Sequence, residues 1–198
     1  MEQRLRDRVL PSEQRRTIRE LTNELDLTDG DSTSQRSAFW TMLALSGIIA
    51  TAGVLADSTA TVIGAMIIAP LSTPIMGIAL SIVKGKPNGS IRFVVGGTMV
   101  VVLTGVLFAV ILPGSVDLHG NTQISGRTSP GILDLVAAVA TGFAGAIALA
   151  RRDVGAVLPG VAIAISLVPP LAVAGVCLGE GAVFLAGGAF VLFLSNIL

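Results

Sequence analysis

Residues 58–83 read STATVIGAMIIAPLSTPIMGIALSIV, an apolar run long enough to cross a bilayer, for which about 20 residues suffice. Pro70 and Pro74 interrupt it near its middle, with Ser72 and Thr73 between them. Proline lacks an N–H, and its ring displaces the carbonyl four residues back. Pro70 is therefore expected to free the carbonyl of Met66, and Pro74 that of Pro70. In hydrocarbon a freed carbonyl is costly unless protein or water satisfies it. The break is expected to be buried in protein or to face a wet cavity.

Working outward, the composition agrees with a membrane protein. The 198 residues are 52% hydrophobic and 13% charged, and the mean hydropathy is +0.81. These values exclude an ordinary soluble domain. Five further apolar segments, at 38–56, 91–112, 131–150, 154–178 and 181–198, are each near spanning length. The last runs to Leu198 without a polar flank, so the natural chain is expected to continue. The expected fold is all-α and integral to the membrane, with six transmembrane helices of which the second and fifth are broken by proline. It divides into a cytoplasmic tail, 1–37, and a transmembrane domain, 38–198.

Basic residues give the orientation. Seven of the 13 Lys and Arg precede residue 38. Lys84, Lys86 and Arg92 follow the second segment, and Arg151 and Arg152 follow the fourth. Only Arg127 falls on the other side. This is the positive-inside pattern, and it places the N-terminus in the cytoplasm of a cell with an inner membrane. Trp40 then stands as an interfacial anchor. Within the tail, Ser12 after Pro11 is a candidate cap for a short helix to about Leu25. That helix is expected to be solvated, or to lie against the membrane or a neighbouring subunit. Asp29-Gly30-Asp31 reads as a turn. The first 37 residues hold no apolar signal segment. The polar outer loop, 113–130, contains the one histidine, His119, which is expected to be solvated.

A shift of 96 residues superimposes the broken segment on the fifth. Asp57 meets Asp153, Ala60 meets Ala156, Gly64 meets Gly160, Ile67 meets Ile163, Leu71 meets Leu167 and Pro74 meets Pro170. The spacing of 3, 4, 3, 4, 3 marks one helical face. Pro169-Pro170 answers Pro70 and Pro74. Each repeat (38–112 and 131–198) holds three spans, and an odd number inverts the second copy. Inverted repeats with broken helices in matching places are common in secondary transporters. The expected fold is therefore two inverted three-helix repeats; the alternative is that two small-residue-rich, kinked helices look alike for packing reasons alone.

These motifs carry a family resemblance. ADSTATVIGAMIIAPLSTPIMGIAL at 56–80 and LPGVAIAISLVPPLAVAGVCL at 158–178 resemble the paired signatures of the membrane family called domain of unknown function 389. The closing FVLFLSNIL is similar to that family's last helix. The resemblance covers about residues 36–198 and implies a multi-pass membrane fold. It implies no activity.

Twelve residues form the expected solute or ion pathway. Asp57 and Asp153 precede apolar helices, where each caps free N–H groups or holds a cation or proton at a pathway mouth. Ser72, Thr73 and Ser166 beside Pro70, Pro74, Pro169 and Pro170 either repair kinked backbone or help form a midplane site. Gly64 and Gly160, with Gly77, allow close helix packing or line a pore. Asn196 is interhelical glue or a solute contact. Gly175 and Gly179 form a GxxxG pair. Asp134 is read as a first-turn acid, and Cys177 as a small core residue.

Among functions, a transporter or channel for a small solute or ion is favoured by the repeat, the paired breaks and the hydroxyls. A non-conducting scaffold or sensor acting through the tail is the alternative, since no intramembrane charge pair is present to couple transport. An intramembrane enzyme is not expected, because topology separates the two aspartates. One His and one Cys build no metal site, and no phosphate-binding loop is present. No cofactor and no nucleic-acid partner are expected. The expected partners are the lipid bilayer and further copies of the chain.

Overall fold

A computed structural model describes residues 10–27, 32–87, 89–112, 114 and 117–197, apart from the side chains of Ser32, Pro159 and Ala162. The expected turn at Asp29-Gly30-Asp31 and the chain end at Leu198 lie outside the described residues. The structure is all-helical, with ten α-helices among the described residues. They are α1 (Ile18–Leu25), α2 (Ser32–Leu55), α3 (Thr59–Ile68), α4 (Ser72–Lys84), α5 (Ser90–Ile111), α6 (Thr122–Thr128), α7 (Ile132–Ala150), α8 (Leu158–Ile165), α9 (Val168–Gly179) and α10 (Val183–Ile197).

Three helices are long and apolar enough to cross a membrane: α2, α5 and α7. A fourth span results if α3 and α4, bent by 48° at their break, count as one. The expected six spans are therefore not all present as long helices. The second break, at 166–167, leaves α8 and α9 as short pieces, and α10 has 15 residues.

The outer faces of the long helices explain their solvent. Along α5, Ile91, Val95, Met99, Leu103, Leu107 and Val110 point outward, four or three residues apart, and all are exposed. On α7, Ile132, Leu133, Val136, Val139 and Phe143 do the same. A helix that is apolar on its exposed face as well as its buried one suits lipid rather than water.

The core is built on α9, whose residues from Val168 to Cys177 are all buried, Cys177 included. It lies against α5, α2 and α10. Glycine permits the closest of these approaches. A Cβ on Gly175 would strike the Val102 carbonyl, one on Gly105 would come 2.8 Å from the Ala172 carbonyl, and one on Gly179 would strike Ala109. The GxxxG pair thus seats α9 on α5.

Both breaks are made differently from the sequence expectation. Pro74 is the third residue of α4 and Pro170 the third of α9. Amides in a helix's first turn have no intrahelical partner, so proline costs nothing there. These prolines begin the second halves rather than interrupt a continuous helix. The freed carbonyls are also taken locally. The Ala69 N–H donates to Met66 O at 3.4 Å, and the Thr73 N–H to Pro70 O at 3.2 Å.

Candidate functional site

The structure brings the two breaks together. Met66, Ala69, Leu71 and Ser72 of the first line a gap with Leu167 and Val168 of the second. The gap holds only about 10 Å³, barely the room of one water. Pro74, Pro169 and Pro170 are buried and line none of the described cavities. The space expected between Pro74 and Pro170 is packed; the open space lies beside it.

That open space is a cavity of about 380 Å³ on the side of the first break facing the tail. Pro70, Ser72 and Thr73 form its floor, Met76 and Leu149 one wall, and Val161 and Ile165 of α8 another. Glu24 and Leu25 of α1 stand over it. A second cavity of about 290 Å³ lies on the other side of the same turn and shares Glu24, Ile68, Pro70 and Thr73 with the first. The Ser72 and Thr73 hydroxyls make no hydrogen bond to the described residues. They do not repair the backbone and are free to meet whatever enters.

Ser166 differs from them. Its backbone is left-handed, with φ 45°, and its carbonyl accepts from Asn196 Nδ2 of α10 at 3.2 Å. Asn196 therefore acts as interhelical glue, holding the second break. The first break has a comparable tie that sequence reasoning missed: buried Ser46 of α2 donates to the Ala65 carbonyl at 2.8 Å. A serine inside an apolar helix carried no signal of its own.

The two aspartates lie far from the breaks. Asp57, with φ 47°, does not cap α3; Ser58 does, its Oγ accepting from the Thr61 N–H. The Asp57 carboxylate instead accepts from the Thr122 hydroxyl at 2.6 Å and the Gln123 N–H at 3.1 Å. These bonds, the Thr122 hydroxyl first, hold its carboxyl below the usual range. Asn121 Nδ2 donates to Val54 O at 2.7 Å, and Gln123 Nε2 to Thr59 Oγ1 at 2.8 Å. Together they clamp α6 across the ends of α2 and α3. Asp153 pairs with Arg151, whose Nε lies 2.9 Å from it, and that pairing lowers its pKa. Among the described residues no three His, Cys, Asp or Glu side chains gather as a metal site.

Neither Gly64 nor Gly160 permits close packing: a Cβ on either meets nothing within 4 Å. Gly77 does, since a Cβ there would lie 2.8 Å from the Leu25 carbonyl and 2.7 Å from Ser90 Oγ.

That contact belongs to the docked tail, which neither expectation for it anticipated. Thr17, not Ser12, caps α1. The helix rests on α4 of its own chain, with Leu25 and Leu27 buried. The Arg16 N–H donates to Ala150 O, and the Arg152 N–H to Gln14 O, at 2.9 and 3.0 Å. Arg152 pairs with Glu20 at 2.7 Å, lowering the Glu20 pKa, and Arg16 pairs with Glu24. Lys84 Nζ reaches Thr22 Oγ1 at 3.0 Å. In the sequence Glu24 was one acid of a mixed run; only the fold places it over the cavity.

The comparisons agree with the sequence signatures. The pattern of the domain of unknown function DUF389 matches residues 66–198. An uncharacterized protein of Methanocaldococcus jannaschii is 35% identical over 160 residues, which is 79% of this chain and 49% of that one. The chain thus spans about half the length of the curated relative it matches. No solved structure matches. The chain belongs to the DUF389 family.

Proposed function

With that membership as premise, we propose that this chain forms a transporter or channel for a small solute or ion in the cell's inner membrane. The observation that carries the proposal is the 380 Å³ cavity that reaches the broken helix at Pro70, Ser72 and Thr73. Irregular backbone at membrane depth is tolerated where it lines a cavity, and that is where transporters place their sites.

The inverted repeat supports the same reading. The 96-residue shift carries the start of α4, Ser72, onto the start of α9, Val168. Packing recurs in pairs: α2 on α3 as α7 on α8, α4 on α5 as α9 on α10, and α2 on α5 as α7 on α10. In this reading six segments form two inverted three-helix repeats, with α3–α4 and α8–α9 as the broken spans and the N-terminus cytoplasmic. Further copies in the bilayer complete the unit.

The test is flux from liposomes holding purified protein, with ions and small polar solutes offered in turn. Ser72→Leu and Thr73→Leu fill the cavity floor and should reduce flux at least severalfold while leaving the unfolding midpoint in place. Unchanged flux in both overturns the proposed pathway. A second reading has its own observation: the dry packing of Pro74 and Pro170 and the firmly docked tail suit a non-conducting scaffold or sensor. Absence of flux for every solute, with a folded protein, selects that reading.

A further inference from the structure

We infer that the cavity beneath α1 is a binding site for a monovalent cation, with Glu24 as its charge and Arg16 as a built-in competitor for that charge. The inference rests on the pathway proposed above and names its ligand.

The lining argues for the sign. Among the described residues, Glu24 is the only charged one that borders either cavity, and it borders both. The other polar groups at the floor are the Ser72 and Thr73 hydroxyls, unpartnered among the described residues, and Gln35 joins them in the smaller cavity. Carboxylate, hydroxyl and amide oxygens are hard ligands for cations. Arg152 is engaged with Glu20, Arg151 with Asp153 and Lys84 with Thr22, and Arg16 is the cation paired with Glu24. An anion would meet the Glu24 carboxylate, and no described cation lines either cavity.

The count argues for the valence. Divalent calcium collects several carboxylates among six to eight oxygens, and magnesium demands a tight octahedron. One carboxylate in a mainly apolar chamber, already matched by the Arg16 guanidinium, can hold only one positive charge in its place. A volume of about 380 Å³ exceeds a bare ion, so the occupant is a hydrated alkali ion or a small organic ammonium.

Arg16 supplies the control. Its guanidinium pairs with Glu24 Oε2, bridging from before the start of α1 to its last turn, while its own amide is fixed to Ala150 O. The Glu24 side chain remains 47% exposed in that pair. An entering cation therefore competes with a tethered one.

The experiment measures the unfolding midpoint of the full chain in nanodiscs against NaCl, KCl and methylammonium chloride. N-methylglucamine chloride holds the ionic strength constant. The midpoint should rise saturably with at least one small cation, and the three salts separate an alkali ion from an organic one. Arg16→Gln should tighten the apparent affinity by up to about fivefold, the factor a half-exposed ion pair commands. Glu24→Gln should abolish the response, and Thr73→Val should weaken it. A response that survives Glu24→Gln, or none in either the wild type or Arg16→Gln, overturns the inference. Binding without flux retains the cation site and removes the pathway. Flux without binding does the reverse.

Discussion

The two broken segments start their second halves at matching positions and then diverge in what surrounds them. In α9 every residue from Val168 to Cys177 is buried, whereas α4 buries only Pro74 and Gly77. The cause is which helices cover each. Helices α2 and α5 enclose α9, but α7 and α10 form no such seam on α4. The tail helix α1 lies on α4 instead, and the cavity occupies what remains. Two similar sequences thus yield one structural post and one open wall. The post carries the core, and the cavity opens along the wall.

The sharpest way to break this contrast is Gly175→Val. A side chain there strikes the backbone of α5, which has no flexible end to yield. Overpacking costs typically about 1–3 kcal/mol, and the fixed backbone partner places this change at or above the top of that range. Thermal unfolding in detergent should show a collapse of the midpoint. A wild-type midpoint would mean that α9 is not the post.

Next come the ties that hold each break. Asn196→Ala removes the donor to Ser166 O, and Ser46→Ala the donor to Ala65 O. Interhelical polar bonds in membranes average about 0.6 kcal/mol and reach about 1.7. Both variants should lose stability in that range, Ser46→Ala the more because its hydroxyl is wholly buried. Denaturant titration of the two side by side measures the difference. A larger loss at Asn196 would reverse the ranking of the two ties.

How far the sequence revealed this contrast depends on the kind of signal. The prolines, the Asp-Gly-Pro spacing and the apolar segments marked the breaks, because dihedral limits and hydropathy are local properties. They could not show that Pro74 and Pro170 sit in first turns, since a helix start depends on where the preceding piece ends. Nor could they show Asp57 reaching Thr122 and Gln123, or Glu24 above Thr73. Those pairings join residues far apart in the chain, and packing alone decides them. The unequal burial of α4 and α9 was illegible for the same reason: their compositions are alike, and only their neighbours differ.

Acid should act on the ends of the two broken segments, where Asp57 and Asp153 stand. Asp57 has its pKa lowered chiefly by the Thr122 hydroxyl, and Asp153 by Arg151. A carboxylate with a depressed folded-state pKa stabilises above its unfolded value, and that stability is lost as pH falls through the folded value. Acidification below the ordinary aspartate range of about 3.9 should therefore loosen α6 from the end of α2. Hydrogen exchange of the α6 amides, corrected for the intrinsic rate at each pH, reads this directly. Asp57→Asn should weaken α6 at neutral pH and flatten its response to acid. An unchanged acid response in that variant would assign the acid sensitivity to another carboxyl of the loop, Asp117, whose pKa is lowered by the Gly120 and His119 N–H groups.

The smallest expected effect concerns the residues that match best between the repeats. Gly64 and Gly160 align under the 96-residue shift, and in this single chain a methyl group at either meets open space. Gly64→Ala and Gly160→Ala should each leave the unfolding midpoint within about 0.5 kcal/mol of wild type, as for surface positions. They should also leave its dependence on protein concentration unchanged. If instead either variant lowers the midpoint and the loss grows on dilution, then the open faces of α3 and α8 are covered by a second copy. In that case the difference between post and wall holds for one chain alone, and the assembly restores part of the equality that the repeated sequence implies.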